Sequence, residues 1–288
     1  MRYWMAYMFE DTSQMLEIAR AADELGFAGI AVADHIAVPE GFSSVHPSGE
    51  NPFDLRSNFP DPFTSIAAMA TVTTRLRFMP YVYILPMREP FSIAKQAGTV
   101  AALSQHRLAL GVGVGWLREE IELLGFDPAT RGRRTDEMIE ILRRFWRDGV
   151  AEFHGEFYDF GPTGMYPVPD GPIPIWIGGK SRVALDRAAR NDGWLGMNYS
   201  LDEIDVLLEA LREARARSFD AGVDRTKPFE TMVIPNAKPT PQIFDELAEK
   251  GVTSTVCMPW NLGDPAIAPV GAKIDAMATF AEQFIEGR

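Results

Sequence analysis

Eight short apolar runs alternate with eight segments of helical periodicity along the 288 residues, and this alternation restricts the fold more than any single motif. The runs are YWMAYM at 3–8, FAGIAVADH at 27–35, the stretch 76–83, LALGVG at 108–113, IPIWIGG at 173–179, GWLGMN at 193–198, ETMVIP at 230–235 and TSTVCMP at 253–259. Amphipathic segments separate them. In QMLEIARAADELG, Met15, Ile18, Ala19, Ala22 and Leu25 share one face; further on, Met138, Ile141, Leu142, Phe145 and Trp146 recur at i, i+3, i+4, i+7 and i+8. Strand, helix and strand in succession imply parallel pairing. Eight such units in one chain fit a (β/α)8 TIM barrel better than an open doubly wound sheet. No linker-like shift in composition divides the chain, so residues 1–288 are read as one α/β barrel domain with insertions after strand 2 (36–61) and helix 4 (147–172). The first insertion is a long Pro-, Gly- and Ser-rich loop of the kind that serves as a lid. In the second, Phe153, Phe157, Tyr158 and Phe160 flank a His154-Gly155 turn and predict a small hairpin.

The formal net charge of −12 opposes a nucleic-acid or anionic-membrane partner, since both demand clustered positive charge. A single cysteine, Cys257, excludes an internal disulfide framework and a thiolate zinc cluster. It lies in an apolar run and reads as core. With no signal-like start and no run of about 18 apolar residues, the expected location is the reducing cytoplasm. His46, His106 and His154 show no spacing that makes a metal triad, so no metal is expected.

In a barrel the chemistry sits at the carboxyl ends of the strands. Asp34 and His35 end the second strand, and histidine is the side chain most readily used for proton transfer near neutral pH. Gly111, Gly113 and Gly115 end the fourth strand. They either let a flat or anionic ligand approach the backbone or permit tight strand packing; GxGxG in mid-chain is not the GxGxxG of a dinucleotide site. Gly178 and Gly179, followed by Lys180, Ser181 and Arg182 at a helix start, bring amides, a hydroxyl and two cations together as a phosphate site.

Taken together, the chain resembles the bacterial-luciferase-like monooxygenase superfamily, and within it the oxidoreductases that use the deazaflavin coenzyme F420. The likeness spans nearly the whole sequence. It rests on AADELGF with the strand ending in Asp34 and His35, TTRLRF leading to ILPMREPFSIAKQ, GVGVGWLREEIELLG with RGRRTDEMIEIL, and PIPIWIGGKS with AARNDGW. The resemblance implies a cofactor ring lying across the strand ends, supported by a non-prolyl cis peptide at the end of the third strand, here Tyr81 to Val82. Two departures stand out. Tyr81 is bulky where relatives carry a small residue, and Trp116 occupies the position of the glutamate used by the sugar-phosphate dehydrogenase members, which points to an apolar or aromatic acceptor.

The leading expectation is hydride transfer between coenzyme F420 and a small organic substrate. His35 would handle the accompanying proton, Asp34 would orient the ring or His35, and residues 178–182 would hold the cofactor phosphate. Arg56, Arg118 and the group Arg131, Arg133 and Arg134 would meet the anionic F420 tail. An FMN-dependent monooxygenase on the same fold and a non-catalytic cofactor- or ligand-binding barrel are the alternatives. The resemblance also implies a homodimer and a flavin or F420 reductase as an indirect partner.

Overall fold

The computed structural model describes residues 1–286 apart from 48, 50, 52, 225, 262, 263, 265 and 266. Its strands are β1 (Arg2–Tyr7), β2 (Gly29–Val32), β3 (Arg77–Pro80), β4 (Tyr83–Ile84), β5 (Leu110–Gly113), β6 (Val150–His154), β7 (Asp159–Gly164), β8 (Ile175–Gly178), β9 (Gly193–Tyr199), β10 (Glu230–Pro235) and β11 (Ser254–Cys257). Its α-helices are α1 (Met15–Glu24), α2 (Pro62–Ala70), α3 (Pro90–Leu103), α4 (Arg118–Leu123), α5 (Arg131–Asp148), α6 (Arg182–Ala189), α7 (Leu201–Asp220), α8 (Pro241–Glu249) and α9 (Val270–Phe284).

A parallel sheet in the order β3-β2-β1-β11-β10-β9-β8-β5-β4 curls into the barrel. The third arm of the barrel is divided. Its lower part, β3, pairs with β2, and its upper part, β4, pairs with β5 through Tyr83 opposite Val112 and Ile84 opposite Gly113. A bridge between Phe78 and Leu108 joins the arm to its neighbour below and completes the ring. Between the two parts lies a cis peptide at Tyr81–Val82, where the family likeness put it. The TIM-barrel expectation is met, with the third arm in two pieces and α4 added as a short helix in the loop after β5.

Alternation along each strand separates two cores. On β1, Trp4 and Ala6 face the lumen with Trp176, Met79, Leu195 and Met232, whereas Tyr3, Met5 and Tyr7 face the helices. Trp4 and Trp176 meet edge to face at 5.7 Å at the base of the lumen, with the Arg77 guanidinium 5.5 Å from each ring. The helix starts follow local chemistry. Asp61 accepts from Thr64 N ahead of Pro62, Ser181 accepts from Ala184 N, and Ser200 with Glu203 closes a capping box. The second insertion folds as the antiparallel hairpin β6–β7.

One connection before β3 hangs on a single carboxylate. Asp23, 9% exposed at the end of α1, accepts from Thr74 N at 2.8 Å, Arg75 N at 3.0 Å, Leu76 N at 2.7 Å and Thr74 Oγ1 at 3.1 Å. Burial works against its charge, but these four bonds outweigh it and hold the carboxyl below its ordinary value. Asp23→Ala strands three backbone donors and is expected to cost about 2–4 kcal/mol, read as a shift in denaturant midpoint. Because the folded value is lowered, this stabilisation is complete above the unfolded value near 3.9 and is lost as pH falls through the folded one. An unchanged midpoint in the variant near neutral pH would refute the assignment.

Candidate active site

At the end of β2, His35 and Asp34 leave in different directions. Asp34 is buried and fully engaged: Arg88 Nη2 donates to Oδ1 at 2.7 Å, Arg88 Nη1 to Oδ2 at 2.9 Å and Ile84 N to Oδ2 at 2.8 Å. Burial raises the Asp34 carboxyl, opposed by Arg88, while Arg88 is itself held above its ordinary value because Asp34 outweighs the cost of burying it. Asp34 therefore ties β2 to the segment that follows the cis peptide. Asp34 is expected from the sequence to orient the ring or His35; the contact to His35 is made by a different residue.

That residue is Glu120 on α4, with no exposed surface. Its Oε2 lies 2.6 Å from His35 Nδ1, and its Oε1 accepts from Ile36 N at 2.7 Å and Ala37 N at 3.1 Å. A carboxylate already accepting two amides makes Nδ1 the donor, which leaves Nε2 as the ring nitrogen not engaged by Glu120. The neighbouring Glu119 accepts from Ser43 N at 2.8 Å, Ser43 Oγ at 2.9 Å and Ser44 N at 3.1 Å. Bonds from the Ser44 and Ser43 groups hold its carboxyl down to about 2.

Phe42, His46, Phe53 and Phe59 of the loop after β2 pack beside this pair and Trp116. The His35 ring lies 4.7 Å from Phe53, 4.8 Å from Phe59 and 6.0 Å from Trp116, and only 8% of its side chain is exposed. Phe42 and Phe53 also meet Trp116, and His46 sits 5.1 Å from it. Burial and then the nearby His35 lower the His46 value, which favours the neutral ring. The product is an aromatic box around one histidine.

The glycines Gly111 and Gly113 of β5 and Gly178 of β8 sit hard against the third arm. A Cβ on Gly111 would stand 2.3 Å from the Pro80 carbonyl, one on Gly113 2.3 Å from Val82 Cγ2, and one on Gly178 3.0 Å from Val82 Cγ1. They make room for the divided third arm, which is the packing role, one of the two expected of Gly111 and Gly113. Gly115, at φ +83°, turns the chain toward Trp116 beside Ile84 and Ile121. Tyr81 crosses the lumen and donates from its hydroxyl to the Gly196 carbonyl at 2.5 Å.

At the start of α6, Gly179 takes φ +119° and Ser181 spends its hydroxyl on the cap. Lys180 lies 3.6 Å from Glu203 and Arg182 3.8 Å from Asp186, so each expected cation already faces a carboxylate. The arginines at the α5 entrance do not form a free cluster. Arg133 pairs with Glu156; Arg134 is buried, donates to the Pro86 carbonyl and stacks 4.3 Å from Phe126; Arg131 donates to the Pro128 carbonyl at 2.6 Å. Arg56 and Arg118 remain exposed. Among the described residues no group of three His, Cys, Asp or Glu could hold a metal ion, and no helix is long and apolar enough to cross a membrane.

A family model described as luciferase-like monooxygenase matches residues 4–239. An uncharacterized protein of Mycobacterium tuberculosis is 40% identical over 99% of both chains. An F420-dependent glucose-6-phosphate dehydrogenase of Mycobacterium avium is 30% identical over 73% of this chain and 61% of its own. An FMNH2-dependent dimethylsulfone monooxygenase of Pseudomonas fluorescens is 32% identical over 52% and 42%. Among solved structures, a monooxygenase from Streptomyces bottropensis superimposes with a TM-score of 0.75 over 98% of both chains at 19% identity. The coenzyme F420-dependent tetrahydromethanopterin reductase of Methanopyrus kandleri does so at 0.71 over 99% and 98% at 13% identity, a likeness of fold alone. The chain belongs to the luciferase-like monooxygenase family of oxidoreductases and monooxygenases, and its relatives include both F420- and FMNH2-dependent proteins.

Proposed function

We propose that this protein is an oxidoreductase that moves a hydride between coenzyme F420 and a small apolar or aromatic substrate. The observation that carries the reading is the His35–Glu120 pair enclosed by Phe53, Phe59 and Trp116 at the barrel mouth. The mouth suits a flat conjugated ring: Tyr81 and Val82 offer a floor packed on the lumen core, and the aromatic residues offer walls. The first-turn amides of α6, with Gly178, Gly179 and Lys180, would take the phosphate. When bound, the cofactor supplies the hydride chemistry. The chain's own residues exclude water and place a proton. Glu120 fixes the tautomer, His35 Nε2 gives or takes the proton at the substrate, and Arg88 with Asp34 steadies the floor. Trp116 presents an indole where a carboxylate would serve a sugar phosphate, which supports an apolar acceptor.

The second reading, an FMN-dependent monooxygenase, is favoured by the engagement of Arg131, Arg133 and Arg134. With those side chains occupied, a ligand ending at its phosphate needs less from the protein than one with a carboxylate-rich tail. Tryptophan-quenching titrations with F420 and FMN at low and high salt separate the two. We expect tighter binding of F420, weakening as salt screens its tail. FMN binding at least as tightly in both conditions would overturn the F420 reading. Saturable binding of F420 without reoxidation of its reduced form by any enone or ketone would favour the non-catalytic barrel.

A further inference from the structure

Phe9, just past the end of β1, breaks the alternation of that strand. Trp4, Ala6 and Met8 pack on the lumen core and Tyr3, Met5 and Tyr7 on the helices, so the next side chain would face the helices as well. Instead Phe9 adopts φ +61°, a left-handed conformation that bulky residues rarely take and that persists only where the surroundings impose it. Its ring lies 5.3 Å from Phe59 and 6.3 Å from Phe53, the two phenyl rings packed against His35. The Tyr7 hydroxyl spans the turn and donates to the Asp11 carbonyl at 3.0 Å.

The next residue supplies the anchor. The Glu10 carboxylate, 5% exposed, accepts from Trp260 Nε1 at 2.8 Å and from Lys273 Nζ on α9. Lys273 is equally buried and gives a second bond to Gln14 Oε1 at 2.8 Å. The backbone carbonyl of Glu10 accepts from Asn58 Nδ2 at 3.3 Å, one residue before Phe59. One residue thus ties α9 to the turn that carries Phe9 and to the loop that carries Phe59. We propose that Glu10 and Lys273 are positioning residues for His35: their ion pair fixes Phe9, and Phe9 holds the Phe53 and Phe59 walls that keep water from the imidazole. This inference rests on the reading of His35 as the residue that handles the proton.

Proton NMR of the full chain without cofactor reads the box directly. The carbon-bound ring protons of His35, assigned by their loss in His35→Ala, lie among Phe53, Phe59 and Trp116 and carry the ring-current shifts of all three. The double variant Glu10→Gln/Lys273→Met removes both charges together, a change that buried pairs tolerate, and keeps an acceptor for Trp260. It is expected to move the His35 protons toward the positions of a free histidine and to lower kcat roughly ten- to a hundredfold, with cofactor affinity unchanged. Phe9→Leu leaves the ion pair intact and removes the ring; it is expected to act in the same way, Phe9→Tyr is expected to retain the wild-type spectrum, and the pair of variants serves if the double variant does not fold. Asp136→Asn, which cuts the ion pair of the buried Arg187 between α5 and α6, is expected to lower the melting temperature without moving the His35 protons. Unmoved protons in either the double variant or Phe9→Leu overturn the inference, as does an equal movement in Asp136→Asn. Protons that move as expected while kcat holds would support the positioning role and sink the reading of His35 as the proton carrier.

Discussion

Replacing His35 with Ala is expected to lower turnover by about 10²–10⁴-fold while cofactor affinity stays within a few-fold of wild type. Only one ring nitrogen is committed to the protein, through the 2.6 Å contact with Glu120 Oε2, and the ring is enclosed by apolar neighbours that keep water from competing for the other. A proton transferred there is felt mainly in the transition state, so the loss falls on kcat and leaves binding intact. Steady-state kinetics with reduced cofactor and a panel of enones and ketones, alongside a binding titration, measures both quantities. Wild-type turnover in the variant would remove His35 from the mechanism.

Glu120→Gln is expected to be nearly as damaging by a different route. The side-chain oxygen of the amide satisfies Ile36 N and Ala37 N, as Oε1 does now, which turns the NH2 toward His35 Nδ1. That nitrogen must then accept, and the remaining proton moves to Nε2. A loss of about 10²-fold or more in kcat is expected, with cofactor affinity preserved and the pH dependence of kcat/KM changed in shape. Glu120→Ala removes the acceptor altogether and strands two buried amides, so it is expected to add a stability loss of about 2–4 kcal/mol. If Glu120→Gln matched wild type in kcat and pH profile, Glu120 would be a loop anchor and nothing more.

Much of the architecture was legible because its signals are local. Alternating runs specify the arms of the barrel, Asp61, Ser181 and Ser200 announce their helices, and the position of Asp34 and His35 after an apolar run places them at the mouth. The cis bond at Tyr81–Val82 came through family likeness. Glu120 was not legible. It is one of several acids in REEIELL, nothing in helical spacing distinguishes it, and its partner stands 85 positions earlier. Arg88 escaped for the same reason, with Asp34 as its distant partner. The glycines show how far a motif reaches: their alternation marks where a Cβ is forbidden, but only the fold reveals that Val82 and the Pro80 carbonyl, on the protein's own third arm, do the forbidding. The partners of the arginines at the α5 entrance were not legible, because charge in a sequence does not say which side chains are already paired.

The phenol of Tyr81, hydrogen-bonded to the Gly196 carbonyl on the far side of the ring, acts as a crossbeam. On the proposed reading, a planar group would rest across the opening above this bond, with one face toward the barrel and the other toward the loops. On that reading the outward face meets Phe42, Phe53, Phe59 and Trp116, none of which belongs to a barrel strand. Substrate range in such a design can be rewritten by exchanging loop residues alone, while the scaffold beneath the crossbeam keeps its packing.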